Sequence, residues 1–195
     1  EIVSIAAVRI VNGRILSGET FERLIGKTRL FKKVNNFFLR HIPNDQAFFS
    51  HFAMPILAFD TPLGVFKRFI VEKGLRQGHI DLKKGGIFPI VHGVRSLALE
   101  HRLRDSSTSG RIRKLIRLGV LEHTFGTDLM DAFDFISGLR IKAEMTNGTN
   151  DRSGSDHLQL ASLGHLEREN LRDSLAQVDQ FKNLIDHHFR LRLLR

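Results

Sequence analysis

Lys83-Lys84-Gly85-Gly86 is the stretch of this 195-residue chain whose residue types and spacing most directly suggest chemistry. Glycine has no Cβ, so the pair frees the backbone from ordinary steric limits, and a helical apolar pattern begins at once at Ile87. Two ammonium groups beside a turn with free amides describe a corner that faces an anion. His92, Arg95 and His101 follow on the next helical run, near the same corner, with Arg102 after them and Arg140 further along. Together with Lys83 and Lys84 they are the expected substrate contacts, suited to a triphosphate or an acidic protein target. A purely structural alternative competes: Arg95 and Arg140 bridge helices, the lysines are solvated, and Glu100 neutralises Arg95 from little more than one turn away.

Groups that make or break bonds are not gathered in the same way. Asp128, Asp131 and Asp134 are three apart and share one helix face, but no His or Glu from a facing helix accompanies them, so they read as a solvated acidic face. The ten histidines are scattered. His187 and His188 cannot point the same way on a helix, and His92 and His101 are about two and a half turns apart, too far for one metal ion. No P-loop, zinc-finger spacing or Ser-His-Asp arrangement can be assembled. No metal and no cofactor is therefore expected in this chain, and no catalytic residue.

The elements that must hold the cationic corner are mostly helical. Ile87, Ile90, Val91, Val94, Leu97, Ala98 and Leu103 recur at three- and four-residue steps, with Pro89 in the first turn, where a missing N–H costs little. Upstream, Asn12-Gly13 between two β-rich runs predicts a hairpin over Ile2 to Leu24. Thr28 to His41 predicts a helix stopped by Pro43, and Asn44 or Asp45 caps a second through Ala53, ended by Pro55. Pro62 reads as a first helical position. Phe66 to Val71 and His79 to Leu82 predict a second small hairpin leading into the double lysine.

Downstream, Thr108 caps a short basic helix, with Arg111, Arg113, Lys114 and Arg117 on its surface and Gly119 at its end. Glu122 to Met145 is a long helix with Met145 in its buried stripe, and residues 146–156 form a polar, mobile loop. Ser162 caps a final helix reaching Phe189, with Leu163 and Leu166 opening its apolar stripe. Long amphipathic helices joined by brief connections argue for a mainly α, up-and-down bundle.

A formal charge of +9 favours anionic partners. Sixteen Phe with no Trp or Tyr, mostly at helical spacing, are core filler rather than stacking platforms. Zero cysteines fit a cytoplasmic protein, no apolar run approaches a membrane span, and no signal peptide opens the chain.

IDLKKGGIFPIVHGVRSLALEHRL (80–103), the helix from Thr108 to Leu118, AFDFISGLR (132–140) and LASLGHLERENLRDSL (160–175) resemble the nucleotidyltransferase substrate-binding domain family. That family is the C-terminal helical domain of bacterial proteins with CBS or cyclic-nucleotide-binding modules and a nucleotidyltransferase domain related to the uridylyltransferase of the nitrogen-regulatory PII protein. The resemblance covers about residues 28–195. It implies a helical, non-catalytic domain that positions substrate for a nucleotidyltransferase catalytic domain, with Mg and a nucleoside triphosphate bound by that other domain. The chain has no Gly-Ser turn followed by spaced carboxylates, the two-metal set that such catalysis needs.

EIVSIAAVRIVNGRILSGETFERLI (1–25) is similar to the second and third strands of DEDDh-type 3'-to-5' exonucleases. There, an Asp and a Glu one residue apart lie on the strand just upstream; this chain begins after them. The expectation is therefore an exonuclease-like remnant over 1–26, a helical substrate-binding-like domain over 27–195, and a fragment, truncated product or fusion junction. Two rival readings stand beside it: a basic nucleic-acid-binding helical module, and a regulatory bundle that forms homo-oligomers.

Overall fold

The computed structural model describes residues 8–11, 14–20, 37, 39–42, 44–147 and 156–194. Two strands, β1 (Val8–Val11) and β2 (Arg14–Thr20), pair antiparallel with a register irregularity between Val8 and Ile10. This is the ribbon that Asn12-Gly13 predicts. The helix expected over 28–41 lies largely outside the described residues; Phe37 and Leu39 to His41 are helical.

From Asp45 onward the chain is mainly helical. Asp45 caps α1 (Gln46–Ala53), its carboxylate accepting from the Ala47 amide. Pro55 does not end the helical path. It starts a 3-10 turn, Met54–Ala58, which a residue without an N–H can open. Pro62 does not begin a helix either: residues 62–70 fold into a closed loop in which Leu63 bridges Phe69 and Ile70 donates to the Pro62 carbonyl. At its tip Phe66 and Lys67 both adopt positive φ, which breaks the extended run expected there.

The strand β3 (His79–Asp81) finds its ladder partner in β4 (His157–Gln159), far along the chain, and not in Phe66 to Val71. Glu72 to His79 closes as a tight strap instead, with Glu72 donating to the His79 carbonyl and Gly78 to that of Glu72. After β3 a single π-helical turn, Lys83–Ile87, runs directly into α2 (Phe88–Glu100). Then follow α3 (Thr108–Arg117), α4 (His123–Asn147) and α5 (His165–Phe189).

Their caps lie one or two residues from the expected positions. Ser107, not Thr108, accepts from Gly110, and Glu122 accepts from Thr124 and Phe125. Gly164, supported by the Glu167 carboxylate, opens α5, so Ser162 closes a 3-10 turn and caps nothing. Gly119 does take the positive φ that a helix stop demands.

α5 runs back along α4: Lys142 meets Glu167 near one end, Gln177 meets Asp128 midway, and Phe125 meets Phe181 toward the other. The core fills the space among α2, α4, α5 and the 3-10 turn, with Ile56, Ile90, Ile136 and Phe181 wholly buried. Gly93 exists for contact, since a Cβ there would stand 2.6 Å from Phe181 and 3.0 Å from Ile56. Met145 and Leu166, expected in the stripe, are exposed, whereas Leu163 is buried ahead of α5. Most of the loop over 146–156 (148–155) lies outside the described residues. Among the described residues, no helix is long and apolar enough to cross a membrane.

Candidate functional site

The double lysine stands where the β3–β4 ribbon meets the start of α2. Lys83 reaches the Asp156 carboxylate at 3.0 Å, and Arg140, from α4, reaches the other oxygen of the same group at 2.7 Å. Lys84 lies 3.4 Å from Asp81 and over the ring of Phe59. The carboxylates are tucked in, while the Lys83 and Lys84 side chains remain 56% and 58% exposed. Two cations on one carboxylate leave an excess of positive charge. Burial acts to raise the Asp156 pKa, but hydrogen bonds from Lys83 and Arg140 outweigh it and hold the carboxyl below the usual range.

The local backbone is not the open turn that two glycines suggest. Neither Gly85 nor Gly86 has positive φ. Their role is clearance: a Cβ on Gly85 would lie 2.5 Å from Pro62, and one on Gly86 would lie 3.1 Å from Ile136. The Lys84 amide is not free either, because Asp81 accepts from it at 2.8 Å. What the corner presents to solvent is its lysine side chains.

The structure brings Lys83 and Arg140 together on Asp156, sets the neighbouring Lys84 on Asp81, and leaves the other expected contacts elsewhere. On α2, Arg95 is exposed, whereas His92 is partly buried against α1. His92 is sandwiched between Phe88 and Phe52, 5.3 and 5.4 Å away, and its Nε2 donates to the Phe52 carbonyl. His101 and Arg102 follow the last turn of α2, about 25 Å along the helix from Lys84. Glu100 pairs with His188 and His101 rather than with Arg95. Arg102 donates to the carbonyls of Leu39 and Ile42, tying down the segment before α1.

Desolvation lowers the His92 pKa; its bond to Phe52 opposes this and Arg95 adds to it. The folded chain thus resists a proton that the unfolded chain accepts below its ordinary pKa of about 6.5. Stability from this group is level above that pH and declines as pH falls through the lowered folded value. Urea midpoints measured from pH 7 to 5 should fall, and His92→Gln should flatten the decline; an unchanged slope contradicts this assignment.

Asp128, Asp131 and Asp134 do not form a coordination set. Asp128 and Asp131 line an open groove of about 540 Å³ between α4 and α5, with Lys67, Asp173 and Gln177 on its other wall. Burial raises the Asp134 pKa, Asp131 adding to it. Beneath the lysine corner, however, Glu72, Asp81 and His157 do converge. Sequence reasoning missed these, and Asp156 with them. Their proximity depends on two strands far apart in the sequence, β3 and β4, for whose pairing no local pattern exists.

A profile of the family described as "Putative nucleotidyltransferase substrate binding domain" matches residues 46–189. No curated protein and no solved structure matches the chain.

Proposed function

The chain belongs to the putative nucleotidyltransferase substrate binding domain family, and from that premise we propose that it holds an anionic substrate for nucleotidyl transfer carried out by a separate catalytic domain. The observation that carries the reading is the convergence of Lys83, Lys84 and Arg140 on one corner. Its ammonium groups face outward from carboxylates held at the surface of the bundle, so a phosphate or acidic side chain can join them without unfolding any element. Arginine supplies a fixed fork and the lysines supply mobile point charges, which suits a polyvalent anion over a single carboxylate. The catalytic carboxylates and their metal ions belong to the other domain in this reading.

Calorimetric titration of the chain with a nucleoside triphosphate and, separately, with poly-glutamate tests it. Saturable binding in either arm that weakens with added salt supports the proposal. Absence of binding in both arms at low salt overturns it.

A further inference from the structure

Three metal-ligand side chains meet just under the lysine corner, and the fold explains why. Asp81 and His157 are register partners across β3 and β4, so their side chains leave the same face of the ribbon. Glu72 is delivered by the strap that its backbone bonds to His79 and Gly78 close. Glu72 Oε1 lies 3.1 Å from His157 Nε2, Asp81 Oδ2 lies 3.7 Å from it, and one ligand atom from each residue falls within 4.8 Å of the others. A transition metal bonded at about 2.0–2.2 Å to nitrogen and oxygen separates neighbouring ligand atoms by roughly 3.0–3.5 Å. The observed spacing thus requires only small shifts.

His157 is 8% exposed, which anchors the set, while Glu72 opens toward solvent and leaves room for water ligands. Cations of the chain itself stand beside the set. Arg76 Nη1 lies 2.8 Å from His157 Nε2, and Lys84 lies 3.4 Å from Asp81. A guanidinium cannot shed its proton, so Arg76 and a metal ion compete for the same nitrogen. Lys84 can withdraw into solvent.

We propose that Glu72, Asp81 and His157 form an exchange site for a divalent first-row transition metal ion, which enters as Arg76 swings away. One imidazole and two carboxylates suit Zn²⁺ or Mn²⁺, whereas Mg²⁺ prefers an all-oxygen shell. The ion would fasten the 72–81 strap to β4 directly beneath Lys83 and Lys84. Whether the corner binds an anion is a separate question, and the site stands or falls without it.

Titration of the chain with Zn²⁺ by calorimetry, with Mn²⁺ followed by electron paramagnetic resonance, is the test. The expected result is one strong Zn²⁺ site, weakened at least about 100-fold by His157→Ala and by Glu72→Gln, and tightened about 10-fold by Arg76→Gln as the competing charge disappears. Melting curves identify any variant that fails to fold, and Glu72→Gln, on the half-exposed strap, is the variant least able to do so. Zn²⁺ binding indifferent to both ligand substitutions would assign the ion to other histidines and overturn the proposal. So would an Arg76→Gln variant with unchanged or weaker binding, or the absence of any Zn²⁺ site.

Discussion

Phe181→Ala lowers the unfolding free energy by about 4 kcal/mol, the largest single-residue effect expected in this chain. The ring is wholly buried where α2, α4, α5 and the 3-10 turn meet, and it packs against Phe125 and the Gly93 backbone. Truncation removes the transfer energy of the ring and leaves a cavity that three helices with fixed axes cannot close. For a domain of this size the melting temperature should drop by roughly 8–16 °C. Gly93→Ala probes the same contact from the other side, because its new methyl would meet the ring at 2.6 Å; overpacking of this kind costs about 1–3 kcal/mol. Combined with Phe181→Leu, the Gly93→Ala change should cost less than it does alone. Urea denaturation of the four proteins measures the coupling, and strict additivity would place the two residues out of contact.

Reversal of both lysines, Lys83→Glu with Lys84→Glu, should weaken binding of the anionic substrate by about 100-fold or more. Each charge-assisted contact is worth about 1.5–3 kcal/mol, so the loss of two exceeds about 3 kcal/mol. The reversed charges would also repel Asp156 and Asp81. Stability should change far less, because both side chains are more than half exposed and Arg140 still holds Asp156. Affinity by calorimetry and midpoints by circular dichroism separate the two effects. Equal affinities in the reversed and unaltered chains would remove the corner from recognition.

Local signals read this fold well wherever local chemistry decides it. Asn12-Gly13 marks the first ribbon, Asp45 caps α1, Gly119 stops α3, and Leu171, Leu175, Val178, Phe181, Ile185 and Phe189 form the buried stripe of α5. Errors begin where a distant partner decides. Met145 and Leu166 keep helical spacing yet stay exposed, because periodicity shows a face and not how far a neighbouring helix covers it. Gly85 and Gly86 suggest backbone freedom, whereas Pro62 crowds out a Cβ on Gly85 and Ile136 leaves little room for one on Gly86. The same ambiguity shaped the site. Lys83, Lys84 and Arg140 were visible as cations, but the acids that arrange them, Asp81 and Asp156, became legible only once β3 and β4 were paired. His92 and Arg102 bond to backbone carbonyls of their own surroundings, and His101 lies 3.7 Å from the Glu100 carboxylate.

Ligand binding at the Lys83–Lys84 corner can be measured directly, because four lysines have nearly equal exposure. The side chains of Lys83 and Lys84 are 56% and 58% exposed, and those of Lys67, beside Asp173, and Lys142, paired with Glu167, are each 61% exposed. Acetylation with a limiting reagent, read by mass spectrometry with and without nucleoside triphosphate or poly-glutamate, reports on each amine separately. Ligand bound at the corner should protect Lys83 and Lys84 while Lys67 and Lys142 react as before. Uniform reactivity at all four, or protection confined to Lys67 and Lys142, would contradict it.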